Sequence, residues 1–148
     1  MNPLVTIAIP IYNASSYLAD SILSCINQTF QDWELLLMED GSTDDSLQIA
    51  QHFAHADARI KLITDGENKG LIYRLNQSVS LAQGLYYARM DADDVMVATR
   101  LEKQVDFLEH HAEVDVVGSS IMVIDGQNRI VGSGYARGKV ETFFHPTI

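Results

Sequence analysis

A chain of 148 residues with 47% hydrophobic and 20% charged side chains has the make-up of one ordinary globular domain, and it is long enough to bury a core. Its formal net charge of −10 argues against nucleic acid as a partner, because a phosphate backbone calls for clustered Lys and Arg. It does not exclude a phosphorylated ligand, since a bound metal can supply positive charge locally.

Val5-Thr6-Ile7-Ala8-Ile9 reads as a first strand, Asn13 to Ser16 as candidate helix caps, and Leu18, Ile22, Cys25 and Ile26 as the stripe of a first helix. Glu34 to Met38 is a continuously apolar strand of the kind buried on both faces. Ser42 and Asp45 have capping-box spacing ahead of a helix lined by Leu47, Ala50, Phe53 and Ala54. Arg59 to Ile63 alternates, which suggests a less buried strand. Ile72, Leu75, Val79 and Ala82 form a third helical stripe, with Gly84 as its C-terminal stop. Leu85 to Met90 is a fourth strand. Thr99 and Glu102 repeat the capping-box spacing before a helix lined by Leu101, Val105 and Leu108.

Alternating strands and helices imply an α/β fold with a mostly parallel central sheet and helices on its faces. Val114 to Val117 and Ile121 to Ile124 look like further strand material. Asp125-Gly126-Gln127-Asn128 makes a turn, from which Arg129 to Val131 returns as a hairpin. Gly132 to Ile148 is weakly patterned and ends without a stop signal, so the chain reads as interrupted. Met1-Asn2-Pro3 shows no signal-peptide pattern, and no run approaches the length of a membrane span. Cys25 is the only cysteine; it excludes an internal disulfide, suits a reducing compartment, and reads as a buried structural thiol.

In an open parallel sheet, ligands bind beyond the carboxyl ends of the strands. The unusual polar groups collect there: Pro10-Ile11-Tyr12-Asn13 after the first strand, Glu39-Asp40-Gly41-Ser42 after the second, Asp65 to Gly70 after the third, and Asp91-Ala92-Asp93-Asp94 after the fourth. Any one of these loops could be a plain turn. Together on one edge they favour a ligand cleft. Three carboxylates within four residues repel one another unless a cation sits among them, and oxygen-only ligands favour a hard divalent ion such as Mg²⁺ or Mn²⁺. If the backbone is still extended, Asp91 and Asp93 face the same side and Asp94 faces away. Tyr12 can stack on a nucleobase or pack on its own helix. Asp40 can accept from a base N–H or serve as a turn residue. The chain has no Gly-x-Gly-x-x-Gly after the first strand, no Walker-type loop and no nucleophile elbow, so phosphate would be held through metal and scattered backbone amides.

The set Ile9-Pro10-Ile11-Tyr12-Asn13, Gln28-Thr29-Phe30, Glu39-Asp40-Gly41-Ser42-Thr43-Asp44, Asn68-Lys69-Gly70 and Asp91-Ala92-Asp93-Asp94 resembles a family 2 glycosyltransferase of the GT-A fold, a Rossmann-like α/β domain. The resemblance runs from about Leu4 to the last residue. It implies one domain over 1–148, the N-terminal nucleotide-sugar-binding portion of an enzyme whose acceptor-binding part is missing. Such an enzyme moves a sugar from a nucleotide donor, often a UDP-sugar, to an acceptor hydroxyl with inversion. Carried over, Pro10, Tyr12, Asn13, Asp40, Asn68, Gly70, Asp91, Ala92 and Asp93 would bind the donor. Asp93, helped by Asp91, would hold Mn²⁺ or Mg²⁺ on the diphosphate. The acceptor would be a glycan or a lipid-linked sugar in polysaccharide or cell-surface glycan synthesis, which places the chain in the cytoplasm, peripheral to a membrane pathway. Glu39 stands where the family more often has Asp. The general base is expected beyond Ile148; Asp115 and Asp125 read as turn or edge residues. The segment should therefore bind nucleotide and metal better than it catalyses.

Lys69 and Arg74 are further cations that could reach a donor, and Arg89 could pair with the acidic cluster or with phosphate. Trp33 reads as core. His52 and His55 lie on a solvated face, His110 and His111 end a helix, and His145 falls in a segment that the family places near the acceptor. The competing readings are a non-catalytic nucleotide-sugar binding module, a sugar nucleotidyltransferase, and a receiver-type signalling domain. The nucleotidyltransferase would need a glycine-rich basic loop after the first strand, and the receiver an acid pair there; neither occurs.

Overall fold

The computed structural model describes residues 2–127 and 129–134, which fall in two compact units, 1–102 and 103–148. The first unit holds a four-stranded parallel sheet of order β3-β2-β1-β4, made of β1 (Val5–Ile11), β2 (Trp33–Glu39), β3 (Ile60–Ile63) and β4 (Tyr86–Arg89). β2 is buried at every residue and β1 at all but Pro10, as central strands covered on both faces must be. β3 lies at one edge, which accounts for its alternating pattern. Right-handed crossovers place α1 (Leu18–Ile26) and α2 (Ser46–Ala56) on one face; the return from β3 past β1 to β4 puts α3 (Leu71–Leu81) on the other. The strand order reverses at β1, so the crevice at its carboxyl end is the natural ligand position.

Leu18, Ile22 and Cys25 bury the inward side of α1 as expected, and burial pushes the Cys25 thiol up to about 12. Trp33 is core, with the Arg59 guanidinium 3.8 Å over its ring. Four local expectations are corrected. Ser42 does not cap α2; the Ser46 N–H that opens the helix donates to Asp44 Oδ1, and Ser42 reaches across to the loop after β1. Glu102 does not bond back to Thr99 but accepts from the Thr29 hydroxyl at 2.7 Å. The α3 stripe is turned away: Ile72 is 78% and Val79 58% exposed, whereas Arg74 and Ser78 are buried. These two lie four apart on one face, held by ionic and hydroxyl partners that outweigh the apolar preference, the Ser78 hydroxyl sitting 2.7 Å from that of Tyr87. Gly84 is no helix stop, since α3 ends at Leu81; a Cβ at Gly84 would strike the backbone of Val5 and Thr6, and its N–H donates to Thr6 Oγ1 at 2.8 Å.

Buried Gln28 accounts for its motif. Its amide nitrogen donates to the carbonyls of Ser24 and Val97, and its oxygen accepts from Leu101 N–H, so it ties α1 to the segment that follows the acidic loop. Helix α4 runs from Arg100 to His110. In the second unit, Val114 to Val117 forms no strand, which corrects that reading. The hairpin is present: β5 (Ile121–Ile124) pairs antiparallel with β6 (Ile130–Gly134). Asp125 anchors its turn, accepting from the N–H groups of Gln127 and Arg129 and from Arg129 Nε.

Candidate functional site

The loops after β1, β2, β3 and β4 close around a cleft of about 530 Å³ at the carboxyl edge of the sheet, a volume in the range of small-molecule and cofactor sites. Pro10, Tyr12, Asn13, Asp40, Asn68, Gly70, Asp91, Ala92 and Asp93 all line it. Ile11, Ala14, Tyr17, Leu71 and Arg74 complete the wall.

On the β2 side the floor is an ionic lattice. Asp40 is buried, and its carboxylate accepts from Lys69 N–H at 2.7 Å, Gly70 N–H at 2.9 Å and Arg74 Nε at 2.9 Å. Burial alone would raise the Asp40 carboxyl; these three donors outweigh it and hold it below the usual range. The Arg74 side chain is wholly buried. Its other donors go to Asp65 (Nη2 to Oδ1 at 2.6 Å, Nη1 to Oδ2 at 3.3 Å), Gln77 Oε1 and the Glu67 carbonyl. All five guanidinium N–H groups are thereby engaged. Arg74, read from the sequence as a cation that could reach a donor, lines the cleft with its guanidinium already engaged in the wall. Lys69 is likewise paired, with Asp65 at 2.6 Å and Glu67 at 3.4 Å. Glu39 turns under the loop that follows it, accepting from the N–H groups of Gly41 and Ser42 and from the Thr64 hydroxyl, so its extra methylene serves the loop and not a ligand. Gly41 has φ +71°, and a Cβ there would lie 2.8 Å from Asn68 N; the chain passes too close for any side chain.

The loop after β1 is clasped to the loop after β2. Asn13, at φ +50°, donates its N–H to Ser42 Oγ and accepts from Thr43 N–H at 2.8 Å through its side-chain oxygen. Ala14 N–H goes to Ser46 Oγ at 2.9 Å and Ser15 N–H to Asp44 Oδ2 at 3.0 Å. No side chain from Asn13 to Ser16 caps α1; the N-cap is Tyr17, without a side-chain bond. The clasp presents Tyr12 and Tyr17 to the cleft about half exposed, at 53% and 51%.

On the β4 side the backbone does not stay extended. It turns, with Asp94 N–H donating to the Asp91 carbonyl at 3.2 Å, and the turn itself aims both Asp91 and Asp93 at the cleft. Asp91 pairs with Arg89 at 2.8 Å in a pair about half exposed, the kind that contributes little to stability and is readily exchanged. Burial, then the charges of Asp93 and Asp91, push the Asp94 carboxyl up. The local field thus favours a cation. Among the described residues no group of three His, Cys, Asp or Glu side chains converges as a metal cage. Two exposed carboxylates still suit Mg²⁺ or Mn²⁺, ions that take one or two protein carboxylates and complete their shells with substrate phosphates and water. His52 and His55 are exposed on α2, and His145 lies outside the described residues.

The family described as "Glycosyl transferase family 2" matches residues 6–145. The chain belongs to glycosyl transferase family 2. EpsE of Bacillus subtilis (strain 168) is 48% identical over 124 residues, covering 83% of this chain and 45% of EpsE. The chain spans about half the length of the first curated relatives that it matches. Among solved structures, S. aureus TarS 1–349 in complex with UDP-GlcNAc superposes with a TM-score of 0.68 at 24% identity, over 73% of this chain and 32% of TarS. The mannosyltransferase PcManGT from Pyrobaculum calidifontis, in complex with GDP-Man and Mn²⁺, gives 0.65 at 21% identity, over 84% of this chain and 36% of PcManGT. The fold of this family 2 chain is accordingly the GT-A fold.

Sequence reading placed nine residues on the cleft of this family 2 chain and missed Tyr17 and the supporting role of Arg74. Arg74 and Ser78 lie four apart on α3, off its apolar stripe, so the hydrophobic pattern gives no signal of their burial. The ionic wall also sets an acid limit. Asp40, Asp44, Asp65, Glu39, Glu34 and Asp57 have depressed carboxyls, and among the described residues Asp94 is shifted the other way. A depressed folded-state carboxyl contributes stability above its unfolded value of about 4 and loses it as pH falls below that. The urea midpoint should be flat from about pH 7 to 5 and drop steeply from about pH 4 to 3, as followed by circular dichroism.

Proposed function

We propose that this chain forms the donor-binding part of an inverting glycosyltransferase, which takes a nucleoside-diphosphate sugar and passes the sugar to an acceptor hydroxyl in glycan or polysaccharide synthesis. One observation carries the reading: nine residues drawn from four separate loops line a single cleft of suitable size. In this reading Tyr12 offers a ring face to the base, and Asp40, fixed by Arg74, accepts a base N–H at its remaining lone pair. Asp91 and Asp93 would hold Mn²⁺ or Mg²⁺, which when bound neutralises the charge that develops on the departing diphosphate. Transfer is a direct displacement: the acceptor oxygen attacks the anomeric carbon as the bond to the diphosphate breaks. A carboxylate C-terminal to the acidic turn is expected to take the acceptor's proton. UDP-GlcNAc in TarS and GDP-Man with Mn²⁺ in PcManGT support the donor class and the ion without choosing the base.

Calorimetric titration of UDP and of GDP into the 148-residue chain, with and without Mn²⁺, tests this. Binding of at least one of them, tightened by Mn²⁺, is the expected result. Metal-independent binding, or none by either nucleotide, would overturn the reading.

A further inference from the structure

Tyr17 stands just ahead of a helix whose inward side is otherwise buried: Leu18, Ser21, Ile22, Ser24 and Cys25. Its ring is half exposed and lines the cleft, and its hydroxyl makes no hydrogen bond among the described residues. Tyr17 and Ser21 are four apart, on one side of the helix, and Ser21 N–H bonds the Tyr17 carbonyl at 3.1 Å. The Ser21 hydroxyl donates to the Asp91 carbonyl at 3.4 Å. The first turn of α1 therefore rests on the acidic turn. Tyr17 lines the same cleft as Asp91 and Asp93, one helical turn before the residue that bonds the acidic turn. Asp40 and Arg74 lie across β1 from it, because β2 and β4 flank that strand; at the usual strand spacing the two ends are about 10 Å apart.

A diphosphate at the acidic end meets carboxylates that can only accept and that repel it. Apart from a cation, it needs neutral donors. A phenol hydroxyl is such a donor. We propose that Tyr17 is a donor-contacting residue at this end, its hydroxyl giving a hydrogen bond to a phosphate oxygen of the nucleoside diphosphate. The inference rests on the donor-cleft reading above and adds a residue to it. The cleft is thereby divided into a base end, with Tyr12 and Asp40, and a diphosphate end, with Tyr17, Asp91 and Asp93.

The test compares the wild-type chain with Tyr17→Phe and Tyr12→Ala, using UDP (or GDP, whichever the wild type binds) by calorimetry with Mn²⁺ and the matching nucleoside by NMR titration. Tyr17→Phe keeps the ring and should unfold at the wild-type temperature. It is expected to weaken the diphosphate about ten-fold, as for a hydrogen bond to a charged group, and to leave the nucleoside unchanged. Tyr12→Ala should weaken both. Wild-type diphosphate affinity in Tyr17→Phe, or equal weakening of nucleoside and diphosphate, overturns the inference while leaving the donor cleft standing. Failure of the wild type to bind any nucleotide overturns the cleft reading and this inference with it.

Discussion

Arg74→Met should lower the free energy of unfolding by about 3 kcal/mol, the low end of the range for removing one partner of a buried ion pair. Methionine keeps most of the stem's volume, so the loss reports the guanidinium and not a cavity. It would leave Asp40 buried with two backbone donors and no compensating charge. Asp65 is about one third exposed and can turn to water, which keeps the cost from rising further. Arg74→Lys restores charge but not the fork that reaches Asp40, Asp65 and the Glu67 carbonyl together, so it should recover only part of the loss. Pairing Arg74→Met with Asp40→Asn removes the stranded charge and should recover more stability while still impairing nucleotide binding. Urea unfolding of the four chains measures this. A loss under about 1 kcal/mol for Arg74→Met would mean that the lattice is solvated in practice.

Asp93→Ala has the other large expected effect, on binding and not on stability. If Asp93 holds the ion on the diphosphate, its loss should abolish the Mn²⁺-dependent part of nucleotide affinity, about 100-fold, the scale of a lost charged contact to a phosphoryl group. Stability should stay level or rise slightly, because one of three crowded carboxylates is gone. A linked readout separates the electrostatics from the ligand: the Asp94 carboxyl, held up in part by Asp93, should titrate lower in the variant, as followed by NMR without metal. Retained Mn²⁺ dependence in Asp93→Ala would remove Asp93 from the metal site.

Much of this architecture was legible from the residues. The apolar run Glu34 to Met38 marks a strand buried on both faces, alternation marks Arg59 to Ile63 as a less buried one, and loop chemistry places the cleft at the carboxyl ends of the strands. The misreadings share a cause. Spacing along the chain gives Ser42, Glu102, Asn13 and Gly84 each a local duty, capping a helix or ending one. In the fold each meets a partner far away in sequence: Ser42 meets Asn13, Glu102 meets Thr29, and Gly84 lies against Thr6. Spacing rules describe neighbours on one helix, and hydroxyls and carboxylates satisfy a donor wherever the topology brings one within 3 Å.

Helix α3 shows the same division most sharply. Its apolar residues are periodic, yet the buried positions are Arg74 and Ser78, because the Asp40 carboxylate sits at the end of β2 and is buried only if a cation is turned toward it. The order of strands and helices, the place of the ligand edge and the acidic turn follow from the amino-acid sequence, since hydrophobic periodicity and turn chemistry are local. Which polar groups pair, how α3 is rotated and that Tyr17 joins the cleft wall were settled only in three dimensions, because buried charges and unpaired donors are satisfied by whatever the topology brings near.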